Sequence, residues 1–414
     1  MEIMIFPNHD HTDHGTNTNI SQSNSTSSET ILLEFNHHIL LDRLPNTIIM
    51  MLLMFFGVIG NSIVLYVYLS RLSHWNVERY FIPFLAMVDF AACVIGPTFS
   101  LLENLYSVTF PSAIVCKTMW YATCLTSGIS VSILFIVAIN RYLKLCRPHS
   151  RQMTIHHKRI FMAVMLSIVS LILTPMVFFV ELQYINFTYK NETFIGVTCA
   201  PHNPEQTFEE TIYFGCMFGI ISGIIIVTAI LYVAVGKVVF KRLRKTRKGS
   251  VPPSPRLVHH QINLDRSNSV FSVLAAVTSI KKDNSNDVSN VSNSGRDLES
   301  TSRSVDLLRS NQGTYRQYRL NFYIMFLTIF ICNTVSFVPS MVYLFLNESD
   351  VEFWFTHDLL VLNIHLTVHR MFVINHVLNP FIYGYFDLTF RKHVIATFRK
   401  LARRPLPDRQ LSTS

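Results

Sequence analysis

Polar side chains interrupt several long apolar stretches of the sequence. The carboxylate of Asp89 lies within one stretch, and amide or hydroxyl groups lie in three others, at Asn61, Ser130, Asn375 and Asn379. Burying a charge in such a stretch is costly, so its presence indicates a function. Oxygen ligands around a buried carboxylate suit a small monovalent cation, a protonated acid or a water cluster. Each amide or hydroxyl taken alone also fits a hydrogen bond between packed helices.

A second group of ionisable residues lies towards the ends of the apolar stretches. His365 and His369 are four residues apart and would share one helix face, a spacing that can chelate a metal ion. No third ligand accompanies them, which disfavours a metal site. Arg370 has three open interpretations: it pairs internally with a neighbour such as Glu103, it extends outward to water, or it contacts a ligand's carboxylate or amide.

The composition favours a membrane protein over an enzyme or a nucleic-acid-binding protein. Of the 414 residues, 50% are hydrophobic and 15% are charged, whereas about a quarter of a soluble chain is charged. The net charge is +9, but residues 1–42 hold no Lys or Arg, and the cations lie beside the ends of apolar runs. Such cations flank membranes, so we expect no nucleic-acid partner. The sequence also lacks a glycine-rich phosphate loop, a nucleophile elbow and an HExxH motif, so we expect no enzyme.

Seven continuous apolar runs predict seven transmembrane helices. Each run exceeds the ~20 residues that a helix needs to cross ~30 Å of hydrocarbon. Continuous rather than alternating hydrophobicity favours helices over a β-barrel. The runs cover residues 44–70, 79–105, 113–146, 159–182, 210–240, 317–346 and 356–384. We therefore expect an all-α membrane protein whose seven-transmembrane helix bundle occupies residues 44–384.

The connections between the runs predict the orientation in the membrane. Lys and Arg cluster after the first, third, fifth and seventh runs, and the opposite connections hold few cations. The positive-inside rule then places the amino terminus outside the cell and the carboxyl terminus inside. We expect a multi-pass plasma-membrane protein. Glycosylation sequons on the predicted outside begin at Asn19, Asn24, Asn186 and Asn191.

Polar segments flank and interrupt the predicted bundle. Residues 1–43 are rich in Asn, Ser, Thr and His without a helical period, so we expect a disordered extracellular tail with no cleavable signal. Residues 243–316 predict a long disordered cytoplasmic loop between the fifth and sixth spans. Residues 385–414 predict a cytoplasmic tail that begins with a short amphipathic helix eight on the inner leaflet, in contact with membrane lipids.

Six motifs in order resemble those of rhodopsin-like G-protein-coupled receptors. The resemblance extends over residues 44–395, and each motif lies on a predicted helix at the expected side of the membrane. The motifs are Gly60-Asn61, Leu85-x-x-x-Asp89, Cys116, Asn140-Arg141-Tyr142, Pro339 and Asn379-Pro380-x-x-Tyr383. The resemblance implies a receptor that transmits an extracellular ligand to heterotrimeric G proteins by outward movement of the sixth helix. It also implies kinases and arrestin as partners of the third cytoplasmic loop and the tail.

The resemblance assigns further roles to particular residues. Cys116 and Cys199 correspond to an extracellular disulfide between the third span and the second outer loop. An allosteric sodium ion is possible, and we expect no other cofactor. The residues that match the family's sodium and water pocket are Asp89, Ser130, Asn375 and Asn379.

The activation motifs depart from the family pattern. Arg141 matches the arginine that turns towards the sixth helix at rest, but Asn140 and Arg319 stand where acids usually pair with it. An unpaired buried charge is costly, so we expect weaker restraint of the resting state and measurable basal signalling. Tyr232 and Tyr383 match tyrosines that bridge to this arginine through water.

One further departure lies in the sixth span. Phe337 stands before Pro339 where the family usually has a tryptophan, which keeps a ring but loses an N–H donor.

Two residues that particular ligand classes require are missing from the outer halves of the spans, which disfavours an amine and retinal as the ligand. Thr123 stands where amine receptors carry an aspartate, and the seventh run lacks the lysine that retinal requires. The long outer loop at residues 183–209 resembles the hairpin of peptide receptors, so we favour a neuropeptide. Alternatives are a receptor-like scaffold without G-protein output and a multi-pass transporter. The candidate ligand-binding residues are Glu103, Thr123, Ser127, His365, His369 and Arg370.

Overall fold

Helices make up most of the computed structural model, which describes residues 21–70, 79–189, 192–200, 208–248, 320–343 and 358–402. Six described helices are long and apolar enough to cross a membrane. In chain order the elements are α1 (Ser21–Asp42), α2 (Leu44–Ser70), α3 (Phe81–Leu105), α4 (Ala113–Cys146), α5 (Ile155–Leu173), α6 (Met176–Phe179), β1 (Glu181–Tyr189), β2 (Glu192–Ala200), α7 (Phe208–Lys248), α8 (Leu320–Tyr343), α9 (Leu359–His369), α10 (Phe372–Phe386) and α11 (Leu388–Ala402). The predicted helical membrane fold is confirmed, with α5 and α6 together forming the fourth span. The chain divides into two units. One comprises Met1–Ala234 and Asn321–Ser414 and contains every site below, and the other is Val235–Leu320.

The seventh span consists of two helices rather than one. The apolar helix α9 ends at His369, and α10 begins at Phe372. Between them the N–H of Met371 donates to the carbonyl of Val368 at 3.2 Å, a three-residue spacing that tightens the turn. The break falls at Arg370, whose side chain turns inward and is 3% exposed.

The helix α1 occupies part of the segment that the sequence predicted as a disordered tail. That prediction is wrong for residues 21–42. Phe35 and Ile39 lie four residues apart on one face and pack against a buried cluster of Val108, Ile185, Tyr189 and Phe194. The side chain of Asn36 also donates to the carbonyl of Leu105 at 2.7 Å. Tertiary packing of an apolar face, rather than local propensity, supports such a helix.

The second outer loop folds as an antiparallel hairpin of β1 and β2. Its register runs from Glu181 opposite Ala200 to Tyr189 opposite Glu192. A disulfide joins Cys116 on α4 to Cys199 on β2, as the family resemblance implied. The N–H of Val197 donates to the carbonyl of Val108 at 2.8 Å and thereby attaches the hairpin to the chain after α3.

The first, second and seventh spans approach one another closely around two glycines. A Cβ atom on Gly57 would lie 2.3 Å from the sulfur of Cys93, and one on Gly60 would lie 2.9 Å from Cγ of Pro380. Neither distance leaves room for a side chain, so glycine is required at both positions. The contact at Gly57 brings α3, which carries Asp89, close to α2, and the contact at Gly60 brings α10 close to α2.

Helix eight is observed as α11 and begins at a buried carboxylate. Oδ1 of Asp387 accepts the backbone N–H of Thr389 at 3.0 Å and the side chain of Arg79 at 3.0 Å. The hydroxyl of Tyr68 donates to Oδ2 of Asp387 at 2.8 Å. One carboxylate therefore caps helix eight and joins it to the inner ends of the first two spans.

Candidate functional site

Asp89 is fully buried on α3 and is bonded directly to α10. Nδ1 of His376 lies 2.7 Å from its Oδ1, and Nδ2 of Asn379 donates to its Oδ2 at 2.6 Å. His376 is not among the pocket residues that the sequence predicted. The signal was present, because His376 lies three residues before Asn379 and so shares its helix face.

The other two predicted pocket residues do not bond to Asp89. The hydroxyl of Ser130 and Oδ1 of Asn375 are buried and have no hydrogen-bond partner among the described residues. The structure therefore brings together Asp89 and Asn379 from the predicted set and adds His376.

At the inner end of α4, aromatic rings lie against Arg141. Its guanidinium carbon lies 5.1 Å from the ring centre of Phe326 and 5.7 Å from that of Phe322, both on α8. Arg79, in the turn just before α3, approaches the ring of Phe322 at 5.4 Å. These distances are within the range of cation–π attraction. Two aromatic rings therefore contact Arg141. The lack of acidic residues at positions 140 and 319, where the family's charged partners stand, stays the basis of the predicted weaker restraint.

The remaining activation residues are described only in part. Asn140 is buried beside Arg141 in the chain, and its Oδ1 has no hydrogen-bond partner within the described ranges. The hydroxyls of Tyr232 and Tyr383 are also buried and make no direct hydrogen bond to a described group, so the bridge through water stays a prediction. Tyr142 is half-buried, whereas Arg319 lies outside the described residues.

A cavity of about 220 Å³ lies between the outer halves of the spans. Phe337 lines it, and Pro339 lies two residues further along α8. Five of the six predicted ligand residues also line the cavity, and His365 does not. The lining is mostly apolar or aromatic, with polar groups contributed by Glu103, Thr123, Ser127, His369 and Arg370.

Arg370 is paired within the protein, which resolves one alternative left open by the sequence. Its Nη2 lies 3.0 Å from Oε2 of Glu103, and its Nη1 donates to Oδ1 of Asn104 at 2.9 Å and to Oδ1 of Asn46. Arg43 lies just before the first span in the same network. Burial, with the positive charge of Arg370, lowers the pKa of Arg43 to about 10, so it stays charged at neutral pH.

The two predicted histidines form no metal site. Nδ1 of His365 contacts the hydroxyl of Tyr343, and the carbonyl of His369 accepts the hydroxyl of Ser340. Within the described part of the chain, no group of three His, Cys, Asp or Glu residues could hold a metal ion.

The predicted glycosylation sites are only partly described. Asn186 lies on β1 and is half-buried, and Asn24 lies within α1. Asn19 and Asn191 fall outside the described residues.

Comparison with known proteins decides the family. The model of the seven-transmembrane receptors of the rhodopsin family matches residues 60–383. The chain belongs to this family. It is therefore a receptor and not an enzyme, as the sequence predicted, and membership disfavours the transporter alternative.

Individual relatives of the receptor are distant. G-protein coupled receptor 52 of Bos taurus is 29% identical over 139 residues, which are 32% of this chain and 38% of the relative. Cephalotocin receptor 1 of Octopus vulgaris is 30% identical over 159 residues, 37% of each chain. The receptor thus spans under two-fifths of the length of these relatives. The crystal structure of squid rhodopsin shares its fold, with a TM-score of 0.54 and 14% identity over 89% of this chain and 87% of that one.

Proposed function

We propose that this receptor lies in the plasma membrane with its amino terminus outside and passes a signal from the outer cavity to heterotrimeric G proteins. The observation that carries the proposal is that one helix, α8, contacts both candidate sites. Phe337 lines the cavity, and Phe322 and Phe326 lie against Arg141. Fifteen residues of helix place these contacts ~22 Å apart along one rigid element.

Movement of this helix would couple the two sites. An outward shift at the inner end of α8 withdraws the rings of Phe322 and Phe326 and exposes the guanidinium of Arg141 to the cytoplasm. A ligand shifts this equilibrium only if it binds the two states with different affinity. Phe337 is the α8 residue through which such a difference would act, because it is buried at the cavity wall.

The ligand that we propose is an extracellular neuropeptide. A cavity of about 220 Å³ is below the ~300–1,000 Å³ of sites that enclose a drug-sized molecule. It accommodates the end of a peptide, whose remainder would lie against the hairpin. Glu181 at the start of β1 and Glu209 in the first turn of α7 are both exposed, and Glu181 pairs with Lys117 at 3.2 Å. The carboxylate of Glu209 favours a ligand with a basic group.

A ligand screen tests this proposal. Cells that express the receptor are exposed to a neuropeptide library, with cephalotocin tried first because a relative is named for it, and are read by several G-protein reporters. We expect a response that Thr123→Trp abolishes by filling the cavity. Ile114→Trp places the same ring at an exposed position of α4 and should preserve the response. Responses to small carboxylic acids and to no peptide would contradict the peptide proposal.

The orientation has its own test. An epitope tag at the amino terminus should bind antibody on intact cells, and a tag at the carboxyl terminus should bind it only after permeabilisation. Detection of both tags on the same side of intact cells would overturn the proposed topology.

A further inference from the structure

The predicted sodium pocket has an internal occupant. Both oxygens of the Asp89 carboxylate are bonded to nitrogen atoms of α10, at 2.7 Å for His376 and 2.6 Å for Asn379. All three side chains are buried, with exposures of 0%, 2% and 0% for Asp89, His376 and Asn379. The carboxylate therefore has a partner on each oxygen.

The backbone holds His376 in this position. Nδ2 of Asn61 on α2 donates to the carbonyl of His376 at 3.0 Å and to the carbonyl of Gly57 at 3.0 Å. The contact between Gly60 and Pro380 fixes α10 against α2 one turn further on. The contacts with Asn61 and Gly60 thus restrain the backbone of α10, from which the imidazole of His376 extends towards Asp89 on α3.

The residues around Asp89 do not fit a sodium ion. A hard cation needs several oxygen ligands, but the hydrogen shared with Nδ1 of His376 lies at one carboxylate oxygen and an amide hydrogen lies at the other. A cation at Oδ2 would meet the positive end of the N–H dipole of Asn379, and a cation at Oδ1 would compete with the hydrogen shared with His376. The misfit lies at the carboxylate itself, because both of its oxygens already contact nitrogen atoms of α10. The buried oxygens of Ser130, Asn375 and Asn379 that have no hydrogen-bond partner among the described residues become usable ligands only if His376 is removed.

We infer that His376 replaces the cation, so that the receptor is not regulated by sodium at Asp89. A side chain of the receptor itself then makes the link between α3 and α10. This link is present at every sodium concentration. The inference concerns the folded chain alone and stands apart from the proposed ligand and signalling output.

Thermal unfolding of the purified full-length receptor in detergent tests the inference. Tm is measured in NaCl and in N-methyl-D-glucamine chloride at equal ionic strength, with a dye that reacts with buried thiols such as Cys93 as they become exposed. We expect the same Tm for the wild type in both salts. In His376→Ser the imidazole is removed and a hydroxyl oxygen is added, so Tm should rise in sodium. A site of Kd about 30 mM at about 150 mM sodium stabilises the folded state roughly sixfold, which corresponds to a shift of roughly 1–2 °C for a chain of this length.

Control variants separate a sodium site from a general salt effect. Adding Asp89→Asn to His376→Ser should remove the sodium-dependent shift, and His393→Ser on α11 should behave as the wild type. His376→Asn provides a second variant with an oxygen ligand if the serine variant does not fold. A sodium-specific rise in the wild-type Tm would overturn the inference, and so would equal Tm values in both salts for His376→Ser and His376→Asn.

Discussion

Removal of the Phe322 ring should raise ligand-independent signalling. Phe322 is fully buried and lies against two guanidinium groups, those of Arg79 at 5.4 Å and Arg141 at 5.7 Å. Phe322→Leu keeps an apolar side chain but removes both cation–π contacts. Phe326 still lies 5.1 Å from Arg141 in this variant, so the restraint weakens without disappearing.

The expected size of the effect follows from the burial of these groups. Arg141 is 6% exposed and Arg79 is 9% exposed, and a desolvated cation–π contact contributes ~1–2 kcal/mol. Losing ~1.4 kcal/mol of stabilisation specific to the resting state raises the active population about tenfold. A resting receptor with about 1% active molecules would then have about 10%.

Second-messenger output without ligand, at matched surface expression, measures this change. The wild type should exceed mock-transfected cells, because Asn140 and Arg319 stand where the family's acids would restrain the arginine. Phe322→Tyr keeps the ring and should stay near the wild type. Phe381→Leu makes the leucine substitution at an exposed ring and should do the same. Unchanged or lower basal output for a well-expressed Phe322→Leu would refute the reasoning.

Three further substitutions probe the polar contacts and α1. Asp387→Asn removes the buried carboxylate that pairs with Arg79. Breaking a buried ion pair lowers the free energy of unfolding by ~3–5 kcal/mol, so Tm should fall by several degrees in a thermal-unfolding assay. An unchanged Tm would show that the pair is not needed for stability. Arg370→Glu should lower surface expression because two carboxylates would then meet, and adding Glu103→Arg should partly restore it. Flow cytometry measures both changes, and unchanged surface expression of Arg370→Glu would contradict the pairing. Phe35→Ala removes a buried ring worth ~3 kcal/mol or more, so hydrogen exchange across residues 30–42 should become faster, and equal protection would contradict the packing of α1.

Much of the fold follows from local properties of the sequence. The apolar runs predicted the spans because lipid leaves a continuous backbone few options besides a helix. The motif residues at Asn61, Asp89 and Asn379 lie together in the structure because each has a fixed place on a helix that the motifs align. The pairing of Cys116 with Cys199 also came from the family resemblance, not from the spacing of cysteines.

What the sequence did not predict depends on contacts between distant elements. The helix α1 is stabilised where Phe35 and Ile39 pack against the hairpin, and the sequence of residues 21–42 alone does not show that contact. The pairing of Arg370 with Glu103 was one of three alternatives that the sequence left open, and choosing among them required the positions of two spans in three dimensions. Phe322 and Phe326 look like ordinary apolar residues of a span, and their position against Arg141 becomes visible only in three dimensions. His376 was overlooked because the family pattern directed attention to oxygen ligands.

Guanine-nucleotide exchange on purified heterotrimeric G proteins measures whether this receptor signals to them. The receptor is reconstituted into lipid nanodiscs and mixed with a panel of G proteins, first without ligand and then with the compound found in the screen. We expect exchange faster than with empty nanodiscs for at least one G protein, a further increase in Phe322→Leu, and loss in Arg141→Ala. Exchange at the empty-nanodisc rate for every G protein, with a folded receptor and bound ligand, would contradict this expectation and would favour a scaffold without G-protein output.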